Sequence, residues 1–471
     1  MTAKYAQLQA FVSEHSDKFV ADLMDWLRIP SIGTDPAHDG DVRRSAEWVR
    51  DRFEALGCPV VEIWPTAGQP AVYAEWCSAP GAPTVLVYGH HDVQPVDPLD
   101  EWTSPPFDPV VVATEHGARL LGRGAIDDKG QVAFHLLGLA AHLAAVDLDG
   151  STPVHPAVNL KFLIEGEEES GSPHFPELLR ANSERLTCDV VLVSDTGMYA
   201  RETPSICVGM RGLVNGEFEL RTAQVDLHSG SFGGAVPNPA HVAARIIAGL
   251  HDESGRVRIP SFYEGVREPD ASERELMAKL PFDEAEYLRT TTTKILVGEA
   301  GWSTLERTWV RPTAEINGIL SGYAGTGHKT IVPSSALVKF SFRLVPGQEP
   351  PAIAAAFRKW LGEQVPTGVD VSLRFFGDGV RPCLTPLDHP VLQAVVRALT
   401  TVFDSEVLFT REGGSGPEAD LAEILAVPVV FLGVGLPDDR IHAPNEKAEI
   451  PLLLKGAEAV ALLWADLGGT S

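Results

Sequence analysis

Acidic and imidazole side chains occur in five short clusters: His90-His91-Asp92, Asp127-Asp128, Glu167-Glu168-Glu169, Asp195 and His442. Any one of them alone reads as a turn, a cap or a solvated loop. Together they describe different chemistry. Carboxylates crowded into one place repel unless a positive charge sits among them, and a divalent cation supplies that charge. Imidazole plus carboxylate without thiolate suits Zn²⁺, Mn²⁺ or Co²⁺ rather than an all-oxygen calcium site. In an extended His90-x-Asp92 both side chains point to the same side. Asp92 is then placed to accept the second ring N–H of His90 and fix its tautomer.

This chemistry requires elements that carry the clusters to one rim. The run TVLVYG (84–89) ends in the His90 cluster, and NLKFLIEG (159–166) runs into the three glutamates. DVVLVSD (189–195) closes on Asp195, and VPVVFLGVG (427–435) precedes His442. Continuous apolar runs of this kind are strands buried on both faces. They alternate with helix-like stretches such as QVAFHLLGLAAHLAAV (131–146), a pattern of βαβ units and a mainly parallel sheet. Ligands in open α/β sheets gather at the carboxyl ends of the strands. GRGAIDDKG (122–130) sets Asp127 and Asp128 just before a helix.

The character changes near Ile206. EFELR (217–221), VKFSFRL (338–344) and VDVSLRF (369–375) alternate polar and apolar residues, with helix-like PAHVAARIIAGL (239–250) and PAIAAAFRKWLG (351–362) between them. Period-two strands imply a sheet packed on one face and open on the other. From about Leu384 the first style returns, with helices expected at HPVLQAVVRALTTVF (389–403) and PLLLKGAEAVALLWADL (451–467). The expected architecture is an α/β domain of residues 1–205 and 385–471, interrupted by an α+β domain of residues 206–384.

Composition bounds the partners. A chain of 471 residues with 44% hydrophobic content has enough apolar side chains for two cores. A formal net charge of -26 argues against a nucleic-acid partner. The five cysteines are scattered without CxxC spacing, so reduced thiols are expected. The N-terminal residues lack a signal-peptide core, and no run of about eighteen or more apolar residues occurs. The expectation is a cytoplasmic protein without a membrane partner. Neither HSGSFGG nor GGSGP forms a G-x-S-x-G elbow. GRGAIDDKG has Asp127 where a dinucleotide fingerprint needs its third glycine.

Eight motifs, YGHHDVQP, GRGAIDDKG, EGEEESGSP, SDTGM, DLHSGSFGG, KTIVPSS with FSFRLVP, REGGSGPEAD and HAPNEK, occur in one order along nearly the whole chain. In these the chain resembles the M20 metallopeptidases, and within them the carnosinase-like cytosolic dipeptidases. The resemblance implies a zinc-peptidase-like α/β catalytic domain with an inserted ferredoxin-like lid and dimerisation domain. It implies two divalent ions per subunit, Zn²⁺ first, with Mn²⁺ or Co²⁺ as alternatives. His90 and Asp195 would hold one ion, Glu169 and His442 the other, with Asp127 bridging, Asp92 orienting His90 and Glu168 as general base. It also implies a cis bond between Asp127 and Asp128, and leaves His91 outside the ligand set. His228 would polarise the scissile carbonyl from the partner subunit of a homodimer. Arg343 would bind the carboxylate of a small peptide substrate, with Thr330 and Ser415 nearby. The implied reaction is hydrolysis of dipeptides or short peptides with a free C-terminal carboxylate. The alternatives of the same M20 type are N-acyl amino acid deacylation and carboxypeptidase action.

Overall fold

A computed structural model describes residues 3–148 and 154–469; the expected domain limits at residues 1 and 471 lie outside them. The chain forms two units. The first takes the described residues of Met1–Val208, Thr385–Thr410 and Gly416–Ser471, and the second takes Gly209–Leu384 and Arg411–Ser415. The class is mixed α/β with several separate sheets.

The first unit is built on six strands: β1 (Val60–Trp64), β2 (Ala71–Trp76), β3 (Thr84–His90), β4 (Asn159–Glu165), β5 (Val190–Val193) and β6 (Val429–Phe431). Their order is β1-β2-β4-β3-β5-β6. β3 runs parallel to β4 and β5, and β6 runs parallel to β5. Val85, Leu86, Val87 and Tyr88 are buried without alternation, as a parallel strand covered on both faces demands. The β1–β2 hairpin, which the periodicity did not announce, adds two antiparallel strands at one edge.

The helix Lys129–Leu148 follows the Asp127-Asp128 turn and packs along the closing helix Ile450–Leu467. The approach is close because of Gly138. A Cβ there would lie 2.2 Å from Val460 Cγ2 and 2.8 Å from the Ala457 carbonyl oxygen, so only glycine fits this crossing. Among the described residues no helix is long and apolar enough to cross a membrane.

The second unit holds a four-stranded antiparallel sheet in the order Thr313–Ser321, Ser335–Leu344, Gly212–Arg221, Asp370–Phe375. Burial alternates strictly along Gly212–Arg221 and Ser335–Leu344. The buried side carries Phe218, Phe340 and Phe342, which form one apolar cluster with Val242 and Ile246 of the helix Pro239–Ala248 and Ile353 and Phe357 of the helix Pro350–Gln364. The sequence reading missed the edge strand Thr313–Ser321, which bulges between Ile316 and Gly318, and the short helices Ala271–Ala278, Glu284–Thr291 and Thr304–Trp309.

Phe340 sits at the centre of this core, its ring 4.5 Å from Phe357 and 5.0 Å from Phe342. Phe340→Ala should cost about 3–5 kcal/mol through lost transfer energy and the cavity left behind. Urea denaturation followed by circular dichroism checks this; an unchanged midpoint would place the core of the second unit elsewhere.

Candidate metal centre

β3 delivers His90 to its carboxyl end, and the surrounding backbone settles the ring's orientation. The main-chain N–H of His90 donates to Asp128 Oδ2 at 3.1 Å. The ring Nδ1 lies 3.1 Å from the carbonyl oxygen of Asp92 and 3.4 Å from Asp92 Oδ1. A carbonyl oxygen can only accept, so Nδ1 carries the proton. In the neutral ring that leaves the lone pair on Nε2, which faces Asp127 Oδ1 at 3.1 Å and Asp195 Oδ2 at 3.8 Å; in the charged ring Nε2–H donates to Asp127. Asp92 acts partly as the spacing suggests. Its main-chain carbonyl takes the ring N–H, its Oδ1 stands close by without a hydrogen bond, and Oδ2 accepts the Glu169 N–H at 3.1 Å.

Asp127 is the shared member. Its Oδ2 lies 3.0 Å from His442 Nε2, which is also 3.2 Å from Glu169 Oε2. Glu169 stands in the 3₁₀ turn Glu168–Ser170 after β4, and Gln94 Nε2 donates to its Oε2 at 2.6 Å. Two groups result, His90-Asp127-Asp195 and Asp127-Glu169-His442, in each of which one ligand atom per residue lies within 4.8 Å of the others. The Asp127–Asp128 peptide bond is cis.

One buried carboxylate that sequence reasoning missed holds this turn. Glu446 accepts the N–H of Ile126 at 3.1 Å and of Asp127 at 3.2 Å on one oxygen. Its other oxygen takes the Gly124 N–H at 2.9 Å and Arg123 Nη1 at 2.8 Å. HAPNEK shows only its histidine as a candidate, and nothing local in it or in GRG marks the pairing of Glu446 with Arg123.

The electrostatics test whether these residues fit a cation. Burial pushes Glu168 up to about 9; His90 pulls the other way, and Asp195 and Glu169 push with it. Burial, opposed by His90 and helped by Asp127, takes Asp195 up to about 7. Hydrogen bonds with Asp127 and Glu169 take His442 up to about 10. Burial also opposes ionisation of Asp127, but hydrogen bonds from His442 and His90 overcome it and hold that carboxyl below its usual range. The cluster therefore favours positive charge at its imidazoles. A divalent cation brings the same charge and leaves the lone pairs as donors. Two imidazoles and three carboxylates fit such ions, and no cysteine belongs to either group.

His91 faces away from these groups, its Nε2 2.9 Å from the Pro70 carbonyl oxygen; burial lowers it to about 4. In the second unit, His228 and Thr330 are neighbours: Leu227–His228 pairs with Ile331–Val332, and the Ser229 N–H donates to Thr330 O at 2.8 Å. His228 Nδ1 accepts the Gly230 N–H at 3.0 Å, so in the neutral ring Nε2 bears the hydrogen and is an exposed donor. Arg343 and Ser415 also meet, with Nη1 donating to the Ser415 hydroxyl at 3.1 Å.

Comparison with known proteins follows the same lines. The model of Peptidase family M20/M25/M40 matches residues 86–466. The Beta-Ala-His dipeptidase of Homo sapiens is 30% identical over 97% of this chain and 91% of its own. The Cys-Gly metallodipeptidase of Schizosaccharomyces pombe is 28% identical over 99% of this chain and 98% of its own. Among solved structures, an M20 family metallo-carboxypeptidase of Sulfolobus solfataricus has a TM-score of 0.80 and 31% identity, covering 96% of this chain and 99% of that one. A family match across most of the sequence and a 30% relative aligned nearly end to end leave one assignment: the chain belongs to peptidase family M20/M25/M40.

Proposed function

We propose that this peptidase is a two-metal dipeptidase that hydrolyses the peptide bond of dipeptides, or short peptides, with a free C-terminal carboxylate. The observation that carries the reading is the convergence of His90, Asp127, Glu169, Asp195 and His442 into two ligand groups that share Asp127. Full-length similarity to relatives named for Beta-Ala-His and Cys-Gly dipeptides supports the substrate class.

In this reading His90, Asp127 and Asp195 would hold one divalent ion and Asp127, Glu169 and His442 the other; Zn²⁺ is the first choice, with Mn²⁺ or Co²⁺ next. Bound ions of this kind acidify a water toward neutral pKa and polarise a carbonyl. The chain's own residues do the rest. Glu168 takes the proton from the attacking water and passes it to the leaving amine. Asp92 keeps His90 in the tautomer that offers Nε2. Arg343 and Ser415 bind the substrate carboxylate, with Thr330 nearby.

The second unit acts as lid and dimerisation domain of ferredoxin-like type. Its four antiparallel strands with two helices in one core support that reading. His228 of the partner subunit donates its Nε2–H to the scissile carbonyl oxygen, a contribution of about 3–4 kcal/mol for one well-placed donor. Five scattered cysteines without CxxC spacing suit a cytoplasmic, reducing setting. A second reading, carboxypeptidase action on longer peptides, is favoured by the likeness to the metallo-carboxypeptidase. A panel of dipeptides, longer peptides and N-acetyl amino acids separates the readings, and a clear preference for either of the last two would replace the dipeptidase assignment.

Three further outcomes test the roles. Glu168→Ala should bind both ions by elemental analysis yet lose about 10²–10⁴-fold in kcat; near-normal turnover would remove Glu168 as the base. Chelation should abolish turnover and lower Tm, and Zn²⁺, Mn²⁺ or Co²⁺ should restore both, since an ion at 100 times its Kd adds about 2.7 kcal/mol. Metal-stripped protein working at full speed would end the proposal. Mixed His228→Ala and Glu168→Ala subunits should regain part of the lost activity after verified exchange, because only heterodimers assemble one intact trans site. No recovery would mean that His228 does not act across a dimer.

A further inference from the structure

Arginines of the second unit mostly find carboxylates. Arg311 is ion-paired with Glu299 at 2.7 Å and Glu268 at 3.2 Å. Arg411 pairs with Glu273 at 2.7 Å and Arg274 with Glu306 at 2.6 Å. Arg211 and Arg343 are exceptions. Both are half-buried, and neither is in ion-pair contact with an acid among the described residues. Arg211 Nε is buried without a hydrogen-bond partner, and Nη1 reaches only the Arg311 carbonyl oxygen, at 3.5 Å. Glu315 adds negative charge to its surroundings but forms no salt bridge with it.

The sheet register puts the two side by side. Arg343 is paired with Leu213 and Leu344 with Gly212. Arg211, one residue before that strand, therefore lies diagonal to Arg343. Gly212 and Leu344 are buried while Leu213 and Arg343 are half-exposed, so Arg211 shares the open face with Arg343. Diagonal neighbours are about 7–8 Å apart, within reach of long side chains. The loop Arg411–Ser415 ties them together. Ser415 Oγ accepts from Arg343 Nη1 at 3.1 Å and donates to the Arg211 carbonyl oxygen at 2.5 Å, and the Arg211 N–H donates to Glu412 O at 3.2 Å. A Cβ on Gly413 would stand 3.0 Å from Arg211 Nη2, so the guanidinium lies against a stretch of loop that glycine leaves open.

We propose that Arg211 and Arg343 form a double-guanidinium clamp for one anion, the C-terminal carboxylate of the peptide substrate, with Ser415 as the hydroxyl between them. The argument is that of the metal cluster with the sign reversed: two unpaired cations are held together where an anion joins them. Burial and the charge of Arg343 lower Arg211 to about 10, the direction expected of a guanidinium that lacks its counter-charge. The clamp rests on the carboxylate-anchor reading above, to which it adds Arg211 as a binding residue.

The test compares KM and kcat for a dipeptide and its C-terminal amide in the metal-loaded wild type, Arg211→Gln, Arg211→Lys and Arg343→Ala. Arg211→Gln should raise KM for the free acid about tenfold, as loss of one charge-assisted contact does. kcat should stay within about threefold and the amide should be unaffected. Arg211→Lys should recover most of the loss, because it keeps the charge. Raising ionic strength should weaken acid binding less in Arg211→Gln than in wild type. An equal loss on acid and amide would make Arg211 a structural support of the loop and overturn the clamp, as would an unchanged KM. Should Arg211→Gln fold poorly by Tm, the Arg211→Lys acid-to-amide ratio and its salt dependence decide in the same way. An effect of Arg343→Ala without one of Arg211→Gln sinks the clamp alone; no effect of either on the acid-to-amide ratio sinks the anchor reading itself.

Discussion

Asp127 offers its two oxygens to two imidazoles, Oδ1 to His90 and Oδ2 to His442, and neither candidate ligand group forms without it. A carboxylate in that position must be held against Asp195 and Glu169, whose charges act on the same space. Its side chain cannot hold itself there. The turn that carries it is fixed from behind by Glu446, whose two oxygens accept three main-chain N–H groups and one guanidinium N–H. A carboxylate so satisfied can be buried at tolerable cost, because each lone pair that leaves water meets a donor. The geometry of the cluster therefore rests on a second acid that takes no part in it.

The other candidate ligands depend on rigid strands. β3, β4 and β5 are adjacent and parallel, so their carboxyl ends emerge side by side, and His90, the Glu168–Ser170 turn and Asp195 follow those ends directly. Apolar residues on both faces keep the strands from shifting. A close-packed interior resists sub-ångström displacement, and metal ligands must be placed to within a few tenths of an ångström. The contact of Gly138 with the closing helix belongs to the same platform, since it presses the helix after Asp128 onto its neighbour.

Much of this is legible in the sequence where one physical signal dominates. The strands carrying His90 and Asp195 are uninterrupted apolar runs, and the period-two strands Gly212–Arg221 and Ser335–Leu344 alternate as half-buried strands must. His442 is harder to place. It lies beyond a strand of only three residues, in a loop with φ of 61°, and its position depends on contacts made with the rest of the unit. Glu446 and Arg211 carry no local signal. A buried acid satisfied by backbone donors looks in sequence like any loop glutamate. An arginine one residue outside a strand shows its face only once the register with Ser335–Leu344 is known. The helices between Ala271 and Trp309 were unread for another reason. They are six to eight residues long and are stabilised by capping boxes at Asp270 and Ser303 and by ion pairs rather than by an apolar stripe.

Both units apply one rule to opposite charges. In the first, acids that would separate in water are held together by strand geometry and by Glu446; in the second, two guanidiniums are held together by sheet register and the Arg411–Ser415 loop. Holding like charges close raises the free energy of the empty arrangement, and an ion of opposite sign releases it on binding. Binding free energy is then concentrated where charge was stored at folding, which is how preorganised electrostatic sites act. A neutral polar group in place of Arg211 or Asp195 would lower that stored repulsion and stabilise the chain while weakening its hold on an ion.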